Sequence, residues 1–177
     1  MRRGLTRWLA VAGLAAVLAA PAVAVPPTHT TVTQQGVLTN PTACGSYGVS
    51  WSINLTADIW TFFDQQGRRV RVLQHIREDN TVTNTVTGLT LREGPDNFVQ
   101  TNTYDPETGL RKSIFIVGTS AIVRRGDEVL VDRGPILIDG QTGRIIWSAG
   151  THPLRELMDG SFNTALALPG FCNILRP

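Results

Sequence analysis

Apolar and polar residues alternate along much of the chain, and this alternation predicts β-strands. Between Val49 and Thr56 every second residue is apolar, and the residues between are Ser, Asn or Thr. A period of two places one set of side chains on a buried face, as in an antiparallel strand with one solvated side. The alternation stops at Ala57–Asp58, which predicts a bulge or a change of strand near Asp58.

Groups of turn-forming residues recur about every ten residues and separate the predicted strands. They lie at 64–67, 94–97, 105–109, 125–127 and 139–143. Gly supplies a positive φ in such turns, Pro fixes φ, and Asp accepts hydrogen bonds from the backbone. About eight to ten short strands with this spacing predict a mainly β fold, an antiparallel up-and-down barrel that is calycin-like in broad form.

Helical patterning is confined to the C-terminal part of the chain. The segment Thr151–Pro153 is typical of a helix start, with Pro in the first turn. Leu154, Leu157 and Met158 then follow with helical spacing, and Gly160 can end the helix. The segment Ser161–Leu168 is a second candidate, so we expect one or two short C-terminal helices that pack on one end of the barrel.

The first 24 residues have the pattern of a secretory signal peptide. Three arginines precede an apolar run that ends at Pro21, and Ala22–Ala24 supplies the small residues that signal peptidase accepts. The run is shorter than the roughly 20 residues needed to span a bilayer. We therefore predict a signal peptide over 1–24, a flexible leader over 25–43 with a candidate edge strand at Gln34–Thr39, and one β-barrel domain over 44–177. The predicted location is extracellular.

Charge and cysteine content narrow the choice of partners and compartment. The full chain has 16 basic and 14 acidic residues, and loss of Arg2, Arg3 and Arg7 with the signal leaves 13 basic residues and a net charge of −1. The mature chain thus offers no electrostatic attraction for nucleic acid or an anionic membrane. Two cysteines in an oxidising compartment predict one disulfide, between Cys44 and Cys172.

No motif of a known catalytic or cofactor site occurs in the chain. The signatures of serine hydrolases, zinc proteases, phosphate-binding loops and dinucleotide-binding folds are all missing. We therefore predict no catalytic residue and no cofactor. His75, Glu78 and Asp79 form the densest group of metal-ligating types, but on a strand Glu78 points away from the other two, so no metal site is predicted. Arg125-Gly126-Asp127 is interpreted as a turn rather than a recognition tripeptide.

Aromatic residues and one charged pair supply the candidate binding residues. The aromatic residues have two open uses, as a plain core or as the lining of a pocket for a small apolar molecule inside a barrel. Asp132 and Arg133 interrupt an apolar strand where no turn requires them, and only one of two adjacent strand residues can face the interior. The predicted lining consists of Trp51, Trp60, Phe62, Phe98, Phe115, Trp147, Asp132 and Arg133.

The segment from Val131 to Pro153 resembles small secreted proteins of high-GC Gram-positive bacteria. It follows their order of strand, Asp-x-Gly, apolar strand, turn, strand and Ala-Gly-x-His. The turns at Phe62–Gly67 and Tyr104–Gly109 and the two cysteines are also similar, so the resemblance covers Cys44 to Cys172. It implies a β-rich secreted protein, and the family has no assigned activity. The Thr- and Asn-rich stretch at 80–87 departs from the pattern.

Three functions are compatible with these features. The first, which we favour, is a secreted, non-enzymatic β-barrel that binds a small apolar ligand. The second is a barrel-type isomerase or cyclase that uses His75, Asp132 and Arg133. The third is a surface interaction module that uses an open sheet face or edge. Sequence leaves the oligomeric state and the identity of any ligand open.

Overall fold

A computed structural model of the protein describes residues 25–153 and 169–176, which form one antiparallel sheet and one short helix. The predicted mainly β, antiparallel fold is confirmed. The elements are β1 (Thr28–Asn40), β2 (Val49–Phe63), β3 (Arg69–Asn84), β4 (Thr90–Tyr104), β5 (Arg111–Arg125), β6 (Glu128–Arg133), β7 (Ile136–Asp139), β8 (Ile145–Ser148) and α1 (Pro169–Ile174).

The strands follow one another as hairpins across an open sheet. Their order is β1-β2-β3-β4-β5-β7-β8, and β6 also pairs with β5. Within residues 25–153 and 169–176 no backbone pairing joins β1 to β8, so the sheet is not closed and the term barrel applies only loosely. Turn spacing predicts hairpins, but closure depends on strand register. Here β1 has 13 residues and β8 only 4, so the two edges do not match in length.

Most of the predicted turns join strands as expected. In the turn after β4, the Asp105 carboxylate accepts hydrogen bonds from the backbone N–H groups of Glu107 and Thr108 at 2.9 and 3.0 Å. The turn predicted at 94–97 is wrong, because these residues lie inside β4. Gly94 has a φ of 123° there, and a Cβ atom would lie 2.9 Å from the Asp79 Cα atom. The Gly-Pro pair therefore bends a strand instead of ending it.

The bulge predicted near Asp58 is also wrong. Asp58 pairs in regular register with His75, and the irregularity between β2 and β3 lies at Phe62/Phe63. Ala57 is buried, while Asp58 points outward and accepts a hydrogen bond from Arg77 at 3.0 Å. The two faces thus continue to alternate. The apolar pattern hides this alternation because the outer face carries the large side chain of Trp60.

The segment predicted as a flexible leader contains β1, which is longer than the candidate edge strand at Gln34–Thr39. It pairs with β2 along its full 13 residues. Thr and Val favour extended backbone, and Thr31 donates a hydrogen bond to Asp58 at 2.7 Å. The side chains of β1 are mostly exposed, which explains why it shows no apolar period.

Two apolar clusters lie on the inner face of the sheet. The first contains Trp51, Val82 and Val123 and is covered by Phe171 of α1. The second contains Ala57 of β2 and Ile136 of β7, so the sheet curves far enough to bring distant strands together. Packing of this kind removes apolar surface from water and stabilises the fold by about 25 cal/mol for each Å² that is buried.

Cys44 and Cys172 form the predicted disulfide, with 5.4 Å between their Cα atoms. The bond attaches α1 to the loop before β2, where the Tyr47 hydroxyl also donates a hydrogen bond to the Cys172 carbonyl. The Asn84 side chain donates to the Leu175 carbonyl at 3.1 Å. The signal peptide over 1–24 and the helices predicted over 154–168 lie outside the described residues. None of the described helices is long and apolar enough to cross a membrane.

Candidate functional site

A belt of buried polar side chains separates the two apolar clusters on the inner face. Along β3 the belt lies between Ile76 and Val82, and along β4 between Leu91 and Phe98. A polar layer inside an apolar face costs free energy unless its groups have partners. We call it the inner polar belt, and its members are Glu78, Asn80, Glu93, Asp96, Ser120 and Asp132.

Irregular strand register brings the acidic members of the belt to the same side. Glu78 pairs with Asp96 and Asn80 pairs with Glu93, so β4 has one more residue than β3 between these pairs. In a regular strand, residues three apart such as Glu93 and Asp96 would face opposite sides. The extra residue at Gly94–Pro95 turns both inward. A similar irregularity in β5 leaves both Ser120 and Ala121 buried.

Glu78, Glu93 and Asp96 form an acidic cluster in which one oxygen of each lies within 4.8 Å of the others. The Glu93 carboxylate accepts a hydrogen bond from the Asn80 amide at 2.6 Å and a long one from the Trp51 indole at 3.5 Å. Glu93 and Asp96 are buried, whereas Glu78 is half-buried. The cluster therefore concentrates three carboxyl groups in the middle of the sheet.

Asp96 is the most perturbed group of this cluster. Only 2% of its surface is exposed, and neither of its carboxylate oxygens has a hydrogen-bond partner in normal geometry among the described residues. Burial, followed by the negative charge of Glu93, raises the pKa of Asp96 to about 8. A carboxyl group with this pKa is largely protonated at neutral pH. Groups perturbed in this way concentrate at functional sites.

Asp132 and Arg133, which sequence left as an ambiguous pair, face opposite sides. Asp132 is 1% exposed and lies opposite Ala121, on the inner face. Arg133 is exposed and lines an open groove of about 300 Å³ together with Val131 and Pro153. The inward residue of the pair is therefore the carboxylate.

His152 is the buried neighbour of Asp132. Its Nδ1 atom lies 3.9 Å from an Asp132 carboxylate oxygen. Its Nε2 atom is 3.1 Å from the Ala149 carbonyl, and because a carbonyl only accepts, Nε2 carries the proton of this hydrogen bond. Backbone hydrogen bonds between Arg133 and Thr151 hold the segment against β6.

The residues named for an isomerase or cyclase do not meet in one site. His75 is exposed on the outer face, where its ring contacts Trp60 with 5.1 Å between centroids. Asp132 is on the inner face and Arg133 is exposed beside it. A shared reaction centre needs its groups within hydrogen-bond reach of one substrate. This arrangement gives that function no support.

The six aromatic residues predicted to line a pocket divide between the two faces of the sheet. Trp51 and Phe98 are buried on the inner face, and Trp51 packs against Phe171 with 4.7 Å between ring centroids. The other four lie on the outer face. Of these, Phe115 is 36% exposed and Trp147 is 50% exposed. The predicted residues therefore do not form one interior pocket.

A continuous row of side chains crosses the outer face. Each member is the direct cross-strand partner of the next, from β2 to β8. His29 of β1 stacks on the first member, Trp60, with 4.6 Å between ring centroids. Exposed Val117 and Ile146 lie on β5 and β8 beside the far end. We call this the outer row, and it consists of Trp60, Leu73, Thr101, Phe115, Leu137 and Trp147.

The sequence pattern does not predict the acidic cluster. The pattern around Gly94–Pro95 is that of a turn, which would place Asp96 in solvent, and the densest metal-ligating group in the sequence is centred on His75 instead. The signal that could have identified the cluster is the presence of acidic residues at 78, 93 and 96 on two consecutive strands. It becomes visible only when the Gly-Pro pair is interpreted as a bulge.

No known family model, curated protein or solved structure matches this chain.

Proposed function

We propose that the protein is a secreted, non-enzymatic binding protein that holds a small apolar ligand against the outer row. The supporting observation is the exposed end of the row, where Phe115, Leu137 and Trp147 are successive cross-strand partners. Single exposed apolar residues are common on proteins, but a contiguous exposed patch marks a binding surface. The ligand site is thus on the convex side of the sheet.

The dimensions and chemistry of this end suit a flat apolar ligand. Phe115 and Trp147 are two strand spacings apart, which is about 10 Å. The aromatic rings offer large apolar faces that lose little conformational entropy on binding. Polar side chains border the patch on one side, where the Thr103 and Ser113 hydroxyls are 2.6 Å apart. These hydroxyls can orient polar substituents of a ligand.

Three features support secretion. The first 24 residues have the pattern of a signal peptide. The disulfide between Cys44 and Cys172 is compatible with an extracellular protein. The resemblance to small secreted bacterial proteins, carried by the segment Val131–Pro153, is a third line of support.

Ligand binding can be tested with an apolar dye and a panel of flat apolar compounds, measured by dye fluorescence and by calorimetry. We expect Trp147→Ala to weaken binding at least tenfold, because about 1.4 kcal/mol of apolar contact is lost. The matched control is Val86→Ala, because Val86 is an apolar residue outside the row that is 72% exposed, in the turn after β3. The proposal fails if wild type binds none of the compounds, or if Trp147→Ala binds as tightly as Val86→Ala.

A second function, a surface interaction module, is favoured by the edge strand β1. Its free edge carries exposed Val32, Val37 and Leu38, and in the described part of the chain β1 pairs only with β2. Long exposed edges can accept a strand from another chain. Light scattering separates the two functions: an edge-mediated module self-associates or captures a strand, and Val37→Lys weakens that association without affecting dye binding.

A further inference from the structure

We propose that edge strand β1 pairs with β1 of a second copy of this chain, so that two sheets join into one across a twofold axis. This inference rests on the interaction module given above as the second function, and it names the partner of that edge. β1 pairs with β2 along all 13 residues without a register irregularity. In the described part of the chain its other edge carries no strand. That edge is a regular row of backbone N–H and C=O groups.

β1 lacks the features by which proteins protect an edge strand from pairing. Protected edges are short, or they carry charged side chains, Pro or a bulge. Residues 28–40 contain no Asp, Glu, Lys, Arg or Pro, and Thr is their commonest residue. All of the side chains of β1 except that of Asn40 are exposed. A long edge without such protection is suited to accept another strand.

Two exposed apolar side chains of β1 lie on the inner side of the sheet. Val32 pairs with buried Ala57, and Leu38 pairs with buried Trp51. Val32 is 40% exposed and Leu38 is 48% exposed. A strand added at the free edge covers part of both, because side chains on one face of neighbouring strands contact one another.

The spacing of these two residues is self-complementary. The backbone groups of an edge strand point to the free side only at every second residue. Two copies of β1 therefore pair around an axis that passes through a residue. An axis through Gln35 places Val32 opposite Leu38 of the second copy, and the symmetry repeats this apolar pair on the other side of the axis. Pairing then extends from Thr30 to Asn40 in both copies.

The polar side chains of β1 suit the same register. The axis through Gln35 places Thr31 opposite Thr39, a favourable cross-strand pair. Gln35 faces its own copy, and two side-chain amides bond to each other because each has donors and an acceptor. β1 carries no charge that would select a different protein by charge complementarity. These points favour a second copy as the occupant of the edge.

Sedimentation velocity of the disulfide-bonded protein over a range of concentrations tests the proposal. We expect a reversible monomer–dimer equilibrium, because one strand from each copy makes a small interface. Gln35→Lys places two like charges on the axis and should weaken dimerisation by about fivefold or more, as should Gln35→Glu. An equal mixture of the two variants should restore the dimer, because opposite charges then face each other. Gln65→Lys, at an exposed Gln in the turn after β2, is the matched control and should dimerise like wild type.

Cysteine cross-linking tests the register. Facing residues of an antiparallel pair have Cα atoms about 4.5–5.5 Å apart, a separation that a disulfide spans. Gln35→Cys should therefore form a covalent dimer on mild oxidation. Thr33→Cys should not, because Thr33 faces Val37 of the second copy and the two Thr33 residues are about 14 Å apart. Equal cross-linking of the two variants would contradict the register and with it the proposal.

The outcomes separate this proposal from the function on which it rests. Protein that stays monomeric at every concentration contradicts the dimer, and so does a dimer that Gln35→Lys leaves unchanged. If the monomer binds an extended peptide of alternating Thr and Val, and Val37→Lys abolishes that binding, the interaction module stands with another protein as its partner. A monomer that binds no such peptide contradicts both.

Discussion

At the scale of the residue, Asp96 shows how tertiary structure changes the chemistry of a side chain. The same carboxyl group in a turn would be hydrated and ionised. Inside β4 it is desolvated and lies beside Glu93, and its pKa rises to about 8 from its usual value of 3.8. The folded protein therefore keeps a proton that the unfolded chain has already released over the range between these two pKa values.

This difference predicts a pH-dependent loss of stability. Because unfolding releases the Asp96 proton, raising the pH from about 4 to about 8 favours the unfolded state, and the effect levels off above pH 8. Asp96→Asn removes this titration. We expect the Tm of the variant to rise relative to wild type between pH 5 and pH 8, as measured by circular dichroism. A Tm difference that stays constant across this range would contradict the assignment.

At the scale of the element, single irregularities in long strands decide which side chains face inward. Gly118 of β5 has a φ of 123°, and a Cβ atom there would lie 2.7 Å from the Asn97 carbonyl oxygen and 2.8 Å from the Phe98 Cα atom. The close approach of β4 and β5 therefore requires glycine at this position. Gly118 lies directly before the irregularity at Thr119/Ala121 of β5, and it pairs with Phe98, two residues after Asp96.

Gly118→Ala should destabilise the protein by about 1–3 kcal/mol or more, because it combines a positive φ with a backbone clash. Gly36→Ala is the matched control, since Gly36 lies in edge strand β1 and a Cβ atom there meets nothing within 4 Å. Urea unfolding followed by tryptophan fluorescence measures both changes. Equal stability of the two variants would show that β4 and β5 can separate without cost.

At the scale of the whole molecule, one disulfide attaches the C-terminal helix to the start of the sheet. Cys44 precedes β2 and Cys172 lies in α1, 128 positions later. The helix has only 6 residues, so its place depends on this bond and on burial of Phe171 against the first apolar cluster. A closed loop of this length strongly restricts the unfolded chain.

Replacement of both cysteines by alanine should lower the free energy of unfolding by about 2–5 kcal/mol. The expected loss comes mainly from the unfolded state, so the circular dichroism spectrum of the folded sheet should change little. Urea unfolding of the double variant, with reduced wild-type protein as the control, measures the loss. If the double variant and the reduced wild-type protein are both as stable as the oxidised wild type, the position of the helix does not depend on the disulfide.

The sequence alone determined the features that depend on local chemistry. Alternation and turn residues predicted an antiparallel sheet of hairpins, because side-chain period and backbone preferences act within a few residues. Cysteine count predicted the disulfide. Adjacent-residue geometry established that only one of Asp132 and Arg133 could face inward, and the structure shows that it is Asp132.

The tertiary structure decided everything that depends on register. One extra residue at Gly94–Pro95 reverses the side that each later residue of β4 faces, and so turns an expected solvent turn into a buried acidic cluster. Phe115 and Trp147 lie in unbroken apolar runs that leave either face open, and only the packing of the sheet decided that both are exposed on the outer face. Register is set by contacts between strands far apart in sequence, and no local pattern contains that information.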